Sequence, residues 1–200
     1  TATFKNNILR DSGWGIRAEK NCQLTVLNNL IYNNKNSANT DGAGILIKDN
    51  FSYNITSEIR NNTIDGNYHG IWSENSNLKA INNIASSNIG GKGAIDSTGV
   101  YHSGTGVSNN TYNDVWGNGW DYKGDAVAGE NSLNNDPRFV GAYNRDYRLR
   151  TGTSGDVSPC VDRGHPDSTY YDGDKVGITF GDNTQRNDMG AYGGPDNISW

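Results

Sequence analysis

The chain is short of three things, and each shortage closes a class of function. No apolar run approaches the roughly 20 residues that a bilayer-spanning helix requires, so no membrane span is expected. No basic stripe is present: 17 Lys and Arg face 22 Asp and Glu for a net charge of −5, and a protein that neutralises phosphates needs the opposite balance. Nucleic acid is therefore excluded as a partner. There are 2 cysteines, Cys22 and Cys160, far apart and in no metal-ligand spacing; two buried thiols is the plainer reading and a disulfide the other. Hydrophobic residues are also few, at 33%. Disorder does not follow, because the chain carries 11 Tyr, 5 Trp and 4 Phe and its charges are scattered instead of blocked.

What is abundant is asparagine and glycine, and both recur in order. The pairs Asn6-Asn7, Asn28-Asn29, Asn61-Asn62, Asn82-Asn83 and Asn109-Asn110 each precede a short apolar or β-branched stretch. A second marker follows the first four: GWGI at 13–16, GAGI at 42–45, YHGI at 68–71 and GAI at 93–95. One insertion, KNSANTDGAG, accounts for the longest interval. A period of about 20–25 residues marks a solenoid of short strands. The segments between markers alternate in polarity and are punctuated by Gly and Asn, as in LTVL (24–27), ILIK (45–48) and LKAI (78–81), so they read as strands. No useful 3.6-residue periodicity appears before residue 118.

Each repeat then supplies three strands and can bury its inward side chains only by stacking on the next, at the ~4.8 Å spacing of sheet neighbours. Ile16, Ile45, Ile71 and Ile95 fall at one equivalent position and are expected to stack inside. Recurring Asn at a turn has its own cause: Asn tolerates left-handed backbone angles, and its amide both donates and accepts along a stack of like turns. The expected fold is all-β, a parallel β-helix of about five coils of three strands over 1–118, with an irregular C-terminal capping region over 119–200 of the same domain.

This pattern resembles the pectate-lyase-like, right-handed parallel β-helix superfamily over residues 1 to about 118. The later segments NSLNNDPRFV (131–140), NRDYRL (144–149), SPCVDRG (158–164) and DMGAYGG (188–194) resemble the closing segment of secreted bacterial β-helix proteins. A solenoid must cover its open end, and Phe139, Val140, Tyr147, Leu149, Val161 and Tyr192 are expected to do so. The chain opens on Thr1 in mid-repeat and shows no signal peptide, so preceding N-terminal coils of a longer protein are the expected partner at that end.

The superfamily hosts lyases, hydrolases, epimerases, phage tailspikes and adhesins, so the likeness carries fold more firmly than function. It implies an extracellular or cell-surface protein that acts on or binds polysaccharide along the outside of the first sheet; a non-catalytic adhesive or structural β-helix is the alternative. If the paired Asn mark the turn before the third strand, the strands after the Gly-Ile markers form that first sheet. Alternation then points Arg17, Leu46, Trp72 and Asp96 outward in one column, and Glu19, Lys48, Glu74 and Thr98 in the next. Trp72 is a stacking platform for a sugar ring, unless the 35–43 loop covers it. Arg17 and Lys48 are the basic residues that a uronate lyase needs, as base and as counter-charge, although alternating charges also describe a solvated sheet. Glu74 and Asp96 are a candidate carboxylate pair for glycoside hydrolysis. Glu19 and His69 are assigned to substrate contact; His102 and His165 have no second catalytic group fixed beside them. Ca²⁺ is a candidate ligand of Asp172, Asp174 and Asp182, with the acids of 121–125 and Glu130 a weaker cluster, neither in EF-hand spacing.

Overall fold

A computed structural model describes residues 1–38, 40–50, 55–90, 96–152, 155–172 and 186–197. The chain climbs through five coils of three strands. They are β1 (Ala2–Lys5), β2 (Ile8–Arg10) and β3 (Trp14–Glu19); β4 (Leu24–Leu27), β5 (Leu30–Tyr32) and β6 (Ala43–Lys48); β7 (Thr56–Arg60), β8 (Thr63–Asp65) and β9 (His69–Glu74); β10 (Asn77–Ile81), β11 (Ile84–Ser86) and β12 (Thr98–Ser103); β13 (Ser108–Thr111), β14 (Asp114–Trp116) and β15 (Trp120–Gly124). Equivalent strands pair in parallel to give three sheets: A (β1-β4-β7-β10-β13), B (β2-β5-β8-β11-β14) and C (β3-β6-β9-β12-β15). This is a parallel β-helix. Every strand of the coils pairs with one a whole coil away, so burial is a property of the stack.

The core is a set of stacked columns. Ile16, Ile45, Ile71 and Val100 line up on sheet C; Leu9, Ile31, Ile64, Ala85 and Val115 line up on sheet B. All but Leu9, which is partly buried, are buried in one cluster. Val100, not Ile95, takes the fourth place in the sheet C column. Ile95 lies outside the described residues. Five residues more than expected separate the fourth Asn pair from its marker, and the marker is Gly99-Val100.

Asparagine organises the turns twice. Between sheets A and B, Asn7, Asn29, Asn62, Asn83 and Asn113 form a ladder in which each Nδ2 donates to the next Oδ1 at 2.9–3.0 Å. The residue before each one is left-handed: Asn6, Asn28, Asn61 and Asn82, then Tyr112 at φ 54°. The pair thus divides its work, one Asn for the backbone angle and one for the ladder. Asn109-Asn110 does not continue the series; both lie in β13, and Asn113 holds the ladder position. A second ladder stands between sheets B and C, running Asn34, Asn67, Asn88 and Asn118 at 2.9–3.0 Å. Separations along both ladders agree, 33, 21 and 30 residues. Every insertion therefore falls outside the short segment joining them. Asp121 ends the second ladder by accepting from the Asn118 amide at 2.9 Å, which gives this acid of the 121–125 group a structural partner.

Glycine beside the second ladder is required by close approach. A Cβ on Gly70 would lie 2.4 Å from the Gly99 carbonyl oxygen and 3.0 Å from Asn88 Nδ2; one on Gly44 would lie 2.7 Å from the Ile64 side chain. The Gly of the Gly-Ile marker is thus the one residue that lets the ladder amide and the coil above fit together.

The closing segment departs from expectation. The last coil is covered by residues 126–135: Ala126 joins the core, and Leu133 pairs with Asp114. From there the chain folds back along the outer face of sheet B. The antiparallel pair β16 (Phe139–Gly141) and β17 (Asp146–Leu149) packs there. Phe139, Tyr147, Leu149, Cys160, Met189 and Tyr192 form a second core with Leu30, Tyr32 and Ile84. Val161 packs at its margin, while Val140 is exposed. The final stretch runs beside the left-handed turns: Asn61 Nδ2 donates to the Asp188 carbonyl oxygen, Asn28 Nδ2 to that of Ala191, and Lys5 Nζ to Asp196. These residues seal a flank rather than an end, because the outward apolar column Leu30–Ile84 needs cover as much as the last coil does. Both cysteines are free, Cys160 in the second core and Cys22 at the edge of the first.

Candidate functional site

The outer face of sheet C carries the candidate site. Register places Arg17, Leu46, Trp72, Tyr101 and Lys123 in one outward column, and Glu19, Lys48, Glu74 and Ser103 in the next. Arg17, Glu19, Lys48, Trp72 and Glu74, five of the residues picked from sequence, line a single hollow of about 250 Å³. Trp14, Leu46, Asp41 and Asp49 complete it. Asp41, from the loop that follows β5, walls the hollow without removing the Trp72 ring from it.

Asp96 does not join them. It lies in the turn before β12, exposed, and its carboxylate is paired with Lys123 at 2.7 Å. Tyr101 occupies the position expected for Asp96, and Ser103 that expected for Thr98. The physical reason is the same five-residue displacement that moved Val100 into the core. Glu74 and Asp96 consequently do not form a carboxylate pair in this hollow.

The aromatics form a continuous patch. Trp72 and Tyr101 meet edge to face with centroids 5.3 Å apart, and His69 stands edge-on to Trp72 at 4.5 Å. Tyr68 lies against the other side of His69. His69 is buried, its Nδ1 3.1 Å from Thr98 Oγ1, and burial pushes its pKa down to about 4. The imidazole is therefore neutral near neutral pH and packs against the Trp72 ring. His102 points into the core, 2% exposed, with neither ring nitrogen hydrogen-bonded among the described residues. His165 stacks between Tyr112 and Tyr170 in the closing segment.

Charges on the face neutralise one another locally. Arg17 pairs with Glu19 at 2.7 Å and Lys48 with Glu74 at 3.3 Å. The cations of Arg17 and Lys123 also lie over Trp14 and Trp120, at 5.2 and 5.6 Å from the ring centroids. Partly exposed pairs like these contribute only ~0–1 kcal/mol each, so a ligand's hydroxyl can compete for either partner and its carboxylate for the cation. Lys123 holds the Asp96 carboxyl below the usual carboxylate range.

Among the described residues no group of three or more His, Cys, Asp or Glu is arranged to hold a metal ion. Of the acids considered for Ca²⁺, Asp174 and Asp182 lie outside the described residues; Asp172 is buried and accepts from the Gly194 amide.

Sequence reasoning missed Tyr101, Trp14, Trp120 and Lys123. Tyr101 was readable: Gly99-Val100 repeats the Gly-Ile marker with a β-branched residue, and Tyr101-His102 continues its alternation. The two end tryptophans needed the register. Compared with known protein families, curated proteins and solved structures, the chain matches none.

Proposed function

We propose that this β-helix handles polysaccharide, and that the outer face of sheet C binds a glycan chain across Trp72 and Tyr101. The observation that carries this is the aromatic patch: Trp72 packs edge to face with Tyr101 and opens on a hollow bordered by Trp14, Arg17 and Lys48. Flat aromatic faces pack against the apolar C–H faces of sugars, while flanking charged groups receive the hydroxyls. A stack of coils repeats this chemistry along the axis, which suits a polymer better than a small ligand.

Binding is favoured over catalysis. Arg17 and Lys48 are each paired with a glutamate, and His69 is buried and neutral against Trp72, so a base for proton abstraction in this hollow would have to be Asp41 or Asp49. A lyase acting on uronates is the second reading, favoured by the closeness of both cations to Asp41 and Asp49 in one hollow. In that reading Ca²⁺ would come with the acidic substrate. Membership of the pectate-lyase-like superfamily is part of the proposal, supported by three-strand coils, the ladder between sheets A and B, and the burial of Phe139, Tyr147 and Tyr192 from the closing motifs. Such a protein would work outside the cell or on its surface.

Affinity electrophoresis of the chain through gels containing neutral and uronate polysaccharides tests the reading, with product absorbance followed with and without Ca²⁺. Retardation by at least one polymer, abolished by Trp72→Ala and without unsaturated product, is expected. Unsaturated product that disappears with Lys48→Ala would establish the lyase. Migration unaffected by every polymer, or unchanged by Trp72→Ala, overturns glycan binding at this face.

A further inference from the structure

A second groove lies on another face of the helix. The outward column of sheet B reads Arg10, Tyr32, Asp65, Ser86 and Trp116. Its neighbouring column, Leu30, Thr63, Ile84 and Asp114, is covered by the closing segment through Met189, Ala191 and Cys160. The Asp65 column is only partly covered. Two hollows of about 320 and 330 Å³ adjoin there, sharing Asp65, Ser87 and Ala142. Trp116 lines the first; Tyr32 and Tyr143 line the second. Together they form one cleft between the sheet and the 136–147 stretch, each half at the lower end of the ~300–1,000 Å³ range of ligand sites.

The lining specifies the ligand. Asp65 sits at the middle, and its two carboxyl oxygens are already oriented: Ser86 Oγ donates to Oδ1 at 2.7 Å and Tyr147 Oη to Oδ2 at 3.1 Å. Burial raises its pKa against hydrogen bonds from Ser86, Tyr147 and Ser87, and a carboxylate with about four lone-pair positions keeps room for one donor more. Arg138 and Arg150 are opposed by Asp136 and Asp156 within the first hollow, and Arg150 is paired with Asp156 at 2.9 Å. Lys35 and Arg145 line the second hollow, Arg145 over the Tyr32 ring, so cations and carboxylates alternate along the cleft, which suits a neutral molecule rich in hydroxyls. Aromatic rings at both ends and polar groups between them are the pattern for successive sugar rings. Tyr143 stands on the turn Ala142–Asn144 beside the cleft, 99% exposed and free to meet a ligand.

We infer that this cleft is a binding site for a neutral oligosaccharide, with Trp116 and Tyr143 as stacking platforms and Asp65 as the hydroxyl acceptor between them. It does not depend on the sheet C reading, because no residue is common to the two faces.

The test is an amide-resolved NMR titration of the full chain with cellotetraose, xylotetraose and mannotetraose, using sodium sulfate as the anion control. Saturable shifts are expected from at least one tetrasaccharide at the amides of Asp65, Ser87, Trp116 and Ala142. Tyr143→Ala, a surface change that leaves the fold alone, should weaken that binding several-fold; Trp116→Ala should weaken it about tenfold, and Trp116→Phe less. Trp72→Ala should leave it unchanged. The inference is overturned if no tetrasaccharide shifts these amides, if sulfate alone does, or if Tyr143→Ala and Trp116→Phe both bind as the parent does. Shifts confined to sheet C and lost with Trp72→Ala also overturn it, while supporting the other face.

Discussion

Asp114→Asn should make this protein more stable at neutral pH and slightly less stable in acid. Asp114 is fully buried at the seam between the last coil and the closing segment. Its Oδ1 accepts from the Asn135 amide at 3.1 Å and its Oδ2 from the Cys160 thiol at 3.0 Å. Burial, with the negative charges of Asp121 and Asp136 nearby, raises its pKa from 3.8 to about 6. Because the folded-state value lies above the unfolded one, the stabilisation is fully present below about pH 4 and is lost as pH rises through about 6. A shift of about two pKa units corresponds to ~3 kcal/mol of penalty for the ionised group at pH 7.5. The asparagine amide never ionises and keeps the Asn135 bond, but it turns a donor toward the Cys160 thiol at a loss of ~1 kcal/mol. The variant should therefore gain ~2 kcal/mol at pH 7.5 and lose ~1 kcal/mol at pH 4, the two curves crossing in between. Urea unfolding followed by tryptophan fluorescence from pH 4 to 8, on parent and variant together, measures the difference; the exposed carboxylates Asp11, Asp96 and Asp167, whose pKa values are lowered, cancel in the subtraction. A stability difference that does not change with pH, or a variant weaker at every pH, would refute the assignment of that seam carboxyl.

Two further substitutions probe the stack itself. Asn62→Ala removes donors to Val26, Arg60 and Asn83 and the acceptor for Asn29; leaving those groups buried without partners should cost ~3 kcal/mol or more, read as a lowered urea midpoint with an unchanged slope. Gly70→Ala would force a Cβ to 2.4 Å from the Gly99 carbonyl oxygen, whereas Gly66→Ala meets open space and only a left-handed φ of 63°. The first should prevent folding or cost ~3 kcal/mol, the second ~1–2 kcal/mol; equal melting temperatures for the two would show that coil contact does not explain the marker glycine.

Much of this protein was legible before any fold was in hand, because a solenoid writes its contacts at short and repeating intervals. Ile16, Ile45 and Ile71 stack as their spacing demanded, and the left-handed Asn28 and Asn61 follow from what an Asn amide tolerates. Arg17, Glu19, Lys48, Trp72 and Glu74 reached one hollow for the same reason: alternation on a strand is local. What the sequence could not settle was decided where chain length and register part company. An insertion before Thr98 slid the fourth coil by five residues, putting Tyr101 where Asp96 was expected and turning His102 into the core. The closing segment shows the limit most clearly. Its apolar residues announce that they must be buried, but only packing decides against what, and the outward Leu30–Ile84 column of sheet B captured them. Hydrophobic burial has no address in the sequence when its partner lies 100 residues away; repetition supplies one for the coils, and shape complementarity alone supplies it for the rest.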